Sequence, residues 1–271
     1  MVAAIRDGRV GSIGPVVAAA LDELLARRDE ALRLRPELAL DSLEDAGAFV
    51  LGRGVVTLTA SCSLPSLYGA CHEEPYKPGG KGFASYPKTK WPWGFELRAR
   101  PGIRWLRLLR GKGVFLGEAA VAAADPLCRE ALAQAEAGAL GEEAARVVAH
   151  LAAAGPSLLD EVKEELGLSS RALRQARSKL ERVGVVTSSE VVLEGEGHRH
   201  TSELRRWDQL ESVPAGAGGL SELLVAGVRA AVVAPEREAA RWFSWSEDGL
   251  VEELVTQGRL IRPEAGWLAA P

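Results

Sequence analysis

The chain has 271 residues, 47% hydrophobic and 26% charged, with a net charge of −4. That is the composition of a soluble globular protein with room for two or three small domains, and it excludes a disordered or collagen-like chain. No run approaches the roughly 18 apolar residues of a membrane helix. The three cysteines (Cys62, Cys71, Cys128) lack paired spacing, which excludes a disulfide scaffold and fits a reducing cytoplasm.

The N-terminus carries Arg6, Asp7 and Arg9, so it makes a poor signal peptide. Residues 15–34 have apolar positions three and four apart and predict a helix. "DSLEDAGAFV" opens with Asp41 and Ser42 as caps and predicts a short helix. "GVVTLTASCSLPSL" is β-rich. Residues 75–102 hold Pro75, Pro78, Pro87, Pro92 and Pro101 and predict a long loop. "GIRWLRLLRGKGVFLG" predicts a short helix closed by Gly111, then a strand. Residues 118–137 predict a helix broken at Asp125-Pro126.

The clearest pattern spans residues 141–207. Three helices ("GEEAARVVAHLAAAG", "PSLLDEVKEELGL", "SSRALRQARSKLERVGVV") precede two β-prone runs around a Gly-Glu-Gly turn. That is the order of a winged helix-turn-helix. Residues 219–269 repeat it in miniature, ending in a hairpin, "RLIRPEAGWLAA", with "SVPAGAGG" (212–219) as linker. The expected fold class is mainly α with small β-hairpins (α+β), built from tandem winged helix-turn-helix units. The expected division is 1–137, a helical, winged-helix-like domain with a basic aromatic segment; 138–211, a central winged helix; and 212–271, a small winged-helix-like unit.

Charge singles out residues 86–113, where Glu96 stands alone among Lys88, Lys90, Arg98, Arg100, Arg104, Arg107, Arg110 and Lys112. Of the 33 basic and 37 acidic side chains, 25 and 36 lie elsewhere, so this positive segment sits in an acidic protein. It also holds Tyr86, Trp91, Trp93 and Trp105. Cations neutralise phosphates, and flat rings stack on exposed or flipped bases, so the segment is a candidate nucleic-acid surface. An amphipathic surface helix and an indole-pinned loop would explain the same residues. On the third helix of the central unit, Arg171, Arg174 and Arg177 form a stripe facing away from Leu173, Ala176 and Leu180, with Lys179 and Arg182 beyond. They suit a recognition helix in the major groove, or a solvated face. Arg199 and its histidine neighbours in "GHRH" (197–200) are candidates for backbone contact by the wing. Cys62, Cys71 and His72, or His198 and His200, lack metal-ligand spacing, so no metal and no cofactor are expected. Neither Gly pair ends as a P-loop, and no G-x-S-x-G elbow occurs.

Four stretches, "LPSLYGA" (64–70), "WPWGFEL" (91–97), "WLRLLRGKGVFLG" (105–117) and the winged helix after "EEAARVVAHLAAAGP", carry a resemblance. Together they resemble the AlkZ/YcaQ-type DNA glycosylases, which excise bulky or crosslinked alkylated bases, and most of all the shorter AlkZ-related proteins. The similarity covers roughly residues 41–210. It implies a monofunctional glycosylase on double-stranded DNA with a flipped modified base, acting as a monomer in the bacterial nucleoid, in repair, self-resistance or defence against modified phage DNA. The larger family carries a Gln-x-Gln or Gln-x-Asp pair where Thr57 and Thr59 stand here, and Thr is no base at neutral pH. Breaking an N-glycosidic bond needs the target nucleotide out of the stack, a negative charge or dipole near the oxocarbenium-like sugar and a water aimed at C1′. Glu96 is therefore the first catalytic candidate and His72, Glu73 and Glu74 the next, with Tyr86, Trp91 and Trp93 stacking on the base. A non-catalytic winged-helix regulator or lesion sensor, and a protein-interaction module, remain open alternatives.

Overall fold

The computed structural model describes residues 21–193, 199–211, 213 and 218–271. The wing-tip Gly-Glu-Gly turn, Gly197, His198, the Arg199 side chain, most of the linker and residues 15–20 of the first expected helix lie outside the described residues.

Helix α1 (Leu21–Ala31) is followed by α2 (Leu43–Arg53). The Ser42 hydroxyl caps α2 by accepting the Asp45 N–H at 3.0 Å, and Gly54 closes it at φ 72°. Strand β1 (Val55–Thr57) leads into α3 (Leu67–Ala70), which Ser66 caps. The long loop contains α4 (Trp93–Glu96) and two 3-10 turns (Gly82–Ser85, Leu97–Ala99).

The stretch expected to form a helix is instead a hairpin of β2 (Ile103–Leu109) and β3 (Lys112–Gly117). Arg110 and Gly111 form its two-residue turn, at φ 54° and 87°. Positive φ at both central residues matches the twist of a hairpin, and this decides strand over helix. A register shift between Leu106 and Leu109 breaks the period-two alternation, which hid the strand. The motifs named above are internal packing devices here. The Tyr68 hydroxyl donates to the Trp91 carbonyl at 2.7 Å, and a Cβ on Gly94 would overlap that hydroxyl. A Cβ on Gly113 would overlap the Trp105 ring.

Helix α5 (Glu118–Glu136) runs through Pro126 without the expected break. A proline inside a helix costs about 3 kcal/mol. That cost is offset because α5 is buried in two cores, through Ala120, Val121, Ala124 and Cys128 in one and Ala131, Leu132 and Ala135 in the other. The winged helix follows as α6 (Glu142–Ala154), β4 (Ser157–Leu158), α7 (Leu159–Glu165), α8 (Ser170–Arg182), β5 (Val186–Leu193) and β6 (Arg199–Arg206). Ser169 caps α8 by accepting the Ala172 N–H at 3.1 Å. Its sheet order is β4–β6–β5, antiparallel throughout.

The C-terminal part contains α9 (Leu220–Ala231), β7 (Val233–Pro235), α10 (Glu236–Ala239), α11 (Leu250–Thr256) and β8 (Trp267–Ala269). The expected hairpin at 259–270 is a single bridge, Ile261 to Ala269, and β8 pairs with β7 instead. The protein is thus α+β, with small antiparallel sheets. One core joins β2 and β3 (Leu106, Leu108, Val114, Leu116) to α9 and the C-terminal residues Trp242, Phe243 and Leu268. This packing brings the hairpin turn beside α10. No described helix is long and apolar enough to cross a membrane.

Candidate nucleic-acid interface

The basic segment is not a uniform cationic surface. Lys88 pairs with Glu74 at 2.8 Å. Lys90 Nζ donates to the Leu40 carbonyl at 2.6 Å and lies 5.3 Å from the Trp93 ring centroid. Arg98 donates to the Gly94 carbonyl at 2.9 Å, with its guanidinium 4.5 Å from the centroids of both Phe95 and Trp105. Burial lowers its pKa from the ordinary arginine value. Arg100 donates to the Leu43 carbonyl at 3.4 Å and Arg104 to the Glu211 carbonyl at 2.9 Å. Arg107 pairs with Glu181 at 3.2 Å. Among the described residues, Arg110 and Lys112 alone of the eight have no hydrogen bond or ion pair through the side chain.

The aromatic residues are engaged in the same way. Tyr86 is half-buried against Tyr68 and Phe83, at centroid distances of 4.8 and 5.5 Å. Trp91 stands edge-on to Phe83 and Phe95 at 5.1 and 5.7 Å. Trp93 packs against the core around β1, α2 and α3. These rings hold the loop onto the fold, and the loop's order follows from them.

On α8, Arg171 and Arg174 are exposed, but Arg177 is not part of an open stripe. A spacing of three advances only about 300° around a helix, so the third member rotates toward the wing. Arg177 donates to Glu181 at 2.8 Å and to Ser188 at 2.8 Å. Glu181 is only 6% exposed and also accepts from the Ser188 hydroxyl. The buried carboxylate therefore ties α8, β5 and β2 together.

Two open grooves flank the β2–β3 hairpin. The first, of about 360 Å³, lies under the wing and is lined by Arg98, Trp105, Arg107 and Arg177, with Asp160, Glu190 and His200 opposite. Its charge is mixed. The second, of about 480 Å³, lies between the hairpin turn and α10. Arg110, Lys112, Arg237 and Arg241 line it with one carboxylate, Glu238, and Ser61 and Cys62 complete the wall. Arg237 and Arg241 are exposed and, like Arg110 and Lys112, have no side-chain partner among the described residues.

Glu238 was invisible to sequence reasoning, because nothing in "PEREAARW" marks a contact with residues near Ser63. Its Oε1 accepts the Ser63 N–H at 2.5 Å, the Ser63 hydroxyl at 2.8 Å and the Trp242 indole N–H at 3.1 Å. Burial pushes the Glu238 carboxyl up, but those donors and the charge of Arg28 outweigh it, leaving the pKa below its ordinary value. Arg262 likewise lowers Glu236, through hydrogen bonds at 2.8 Å that outweigh burial.

A pH dependence follows. The unfolded chain protonates these two carboxylates near 4.5, above their folded values. Their contribution to stability is complete above that pH and is lost as pH falls through the folded values. Urea unfolding between about pH 3 and 7 checks this: Arg262→Met is expected to lower stability at neutral pH, with the gap to wild type closing in acid.

The sequence-derived catalytic candidates sit apart from the second groove's wall. His72 Nε2 donates to the Arg33 carbonyl at 2.6 Å. Glu73 accepts the N–H groups of Thr89 and Lys90, at 2.5 and 3.1 Å. Both clamp backbone. Glu96 is exposed, and among the described residues its side chain has no hydrogen bond or ion pair that would orient the carboxylate. Thr57 is 2% exposed, and its hydroxyl donates to the Pro65 carbonyl at 3.0 Å. Thr59 is half-buried.

No protein-family model matches the sequence, and no characterised protein matches it at the level of sequence. Among solved structures, the Streptomyces sahachiroi DNA glycosylase AlkZ matches with a TM-score of 0.54, covering 93% of this chain and 70% of its own. The chain has an AlkZ-like fold. Sequence identity is 13%, so the correspondence lies in the arrangement of elements. At 93% of the chain, it extends beyond the residues 41–210 that carry the motifs.

Proposed function

We propose that the protein is a DNA-binding, monofunctional DNA glycosylase that hydrolyses the N-glycosidic bond of a bulky modified base. The observation that supports this best is the AlkZ-like fold over 93% of the chain. Exposed Arg171 and Arg174 on α8 and the unpaired Arg110 and Lys112 on the hairpin turn supply phosphate contacts. The partner is double-stranded DNA with the target nucleotide flipped out, bound by a monomer in the cytoplasm. Repair, self-resistance and defence against modified phage DNA are the roles such an activity serves.

One observation favours a second reading, a non-catalytic regulator or lesion sensor. Thr57 and Thr59 stand where the larger family has its Gln pair, and the Thr57 hydroxyl is already engaged by Pro65. Incubation with native genomic DNAs bearing different modifications, hypermodified phage DNA included, separates the two. A glycosylase releases a free base and leaves alkali-labile abasic sites. Tight binding to one sequence with no base released from any DNA identifies a regulator.

A further inference from the structure

The protein satisfies most of its basic segment internally, yet among the described residues four cations stand unpaired around one cleft. Arg110 and Lys112 come from the hairpin turn, Arg237 and Arg241 from the C-terminal part. Like charges gathered without counter-ions repel one another, and a bound polyanion relieves that repulsion. The cleft's volume, about 480 Å³, lies within the roughly 300–1,000 Å³ range of small-ligand sites. By contrast, the groove under the wing sets Asp160 and Glu190 against its arginines, of which Arg107 and Arg177 are paired with Glu181.

Among the described residues, Glu238 is the only carboxylate in the wall of the cationic cleft. Three donors hold Oε1, while Oε2 has no hydrogen bond among the described residues. The carboxylate is thus oriented through one oxygen and free at the other. A preorganised site needs a group fixed by its surroundings and still open to the reacting atoms. The wall is completed by Ser61 and Cys62, two and three residues beyond Thr59.

We infer that this cleft receives the target nucleotide, that Arg110, Lys112, Arg237 and Arg241 hold its flanking phosphates, and that Glu238 is the catalytic carboxylate facing the sugar. The inference rests on the glycosylase reading above. In the step it supports, the C1′–N bond breaks and its electron pair leaves with the base. An alkylated cationic base departs neutral, and a neutral base takes a proton from solvent. The negative charge of Glu238 stabilises the oxocarbenium sugar. A water oxygen then bonds to C1′, and its proton passes to Glu238 Oε2 and on to solvent.

The test does not require the substrate base to be known. Duplexes carrying a cationic pyrrolidine in place of one deoxyribose mimic the oxocarbenium ion, and duplexes carrying neutral tetrahydrofuran there serve as reference. Fluorescence anisotropy with the full-length protein is expected to show the pyrrolidine duplex bound at least about tenfold more tightly. Glu238→Gln keeps an acceptor for Ser63 and Trp242, so the variant is expected to fold with a melting temperature lowered only by the loss of the carboxylate's charge, and to lose that preference. Glu96→Gln is expected to retain it. The Arg237→Glu/Arg241→Glu variant, altered only at exposed unpaired positions, is expected to weaken binding to both duplexes at least about tenfold. Wild type binding both duplexes equally, a preference surviving Glu238→Gln, or unchanged affinity in the double reversal overturns the inference alone. Wild type binding neither duplex overturns it together with the glycosylase reading.

Discussion

Reversing Arg110 and Lys112 to glutamate is expected to weaken duplex binding at least about a hundredfold at low salt, because two phosphate contacts become two repulsions. The slope of log affinity against log salt is expected to fall by about 2, roughly 0.9 per lost contact. The reason for choosing these two lies in what their neighbours do. Lys88, Lys90, Arg100 and Arg104 are bound to Glu74 and to the carbonyls of Leu40, Leu43 and Glu211. Neutralising them removes contacts within the protein, so the salt slope should stay near that of wild type while the melting temperature falls. A salt series on both variants is the measurement. Equal slopes for the turn reversal and wild type would mean that the hairpin turn does not meet DNA.

Trp207→Ala is the substitution expected to cost the most stability. The residue follows β6, is 1% exposed and packs in the core shared with α5 and α9. Its indole N–H donates at 2.8 Å to Asp125, itself 3% exposed. Truncating a buried Trp typically costs about 3–5 kcal/mol. Among the described residues, Asp125 would keep only Arg129, at 2.9 and 3.0 Å, and that side chain is half-exposed. A fall of about 10 °C in the melting temperature is expected. Trp207→Phe separates the two contributions, since it keeps most of the ring volume and leaves the buried carboxylate short of a donor, a loss of about 1–3 kcal/mol. If Trp207→Ala melts within about 2 °C of wild type, the packing and hydrogen bond that join Trp207 to α5 carry little of the stability.

Much of the fold is legible in the residues themselves. Ser42, one of the two residues expected to cap its helix, does cap it, and the serine that opens "SSRALRQARSKLERVGVV" caps α8. The apolar period of Leu173, Ala176 and Leu180 faces the core. Such signals act within one or two turns of chain, so a linear reading captures them. Two of the elements that escaped it did so for the same physical reason. The period of three at Arg104, Arg107 and Arg110 imitates a helix, but pairing with β3 and positive φ at the Arg110-Gly111 turn override local propensity. Pro126 sits in an unbroken helix because two cores bury α5 on either side of it.

The charge pattern shows the division most sharply. The sequence alone established that residues 86–113 concentrate cations and aromatic rings, and that a winged helix follows. The tertiary structure decided which cations are free. Carbonyls of Leu40, Leu43, Gly94 and Glu211 and the carboxylates of Glu74 and Glu181 engage six of the eight. It also placed Arg110 and Lys112 beside Arg237, Glu238 and Arg241, more than a hundred residues away in the chain. Residue type sets whether a side chain carries charge. Whether that charge is neutralised within the protein or left for a ligand depends on which distant backbone and carboxylate groups the shared core brings within hydrogen-bonding distance.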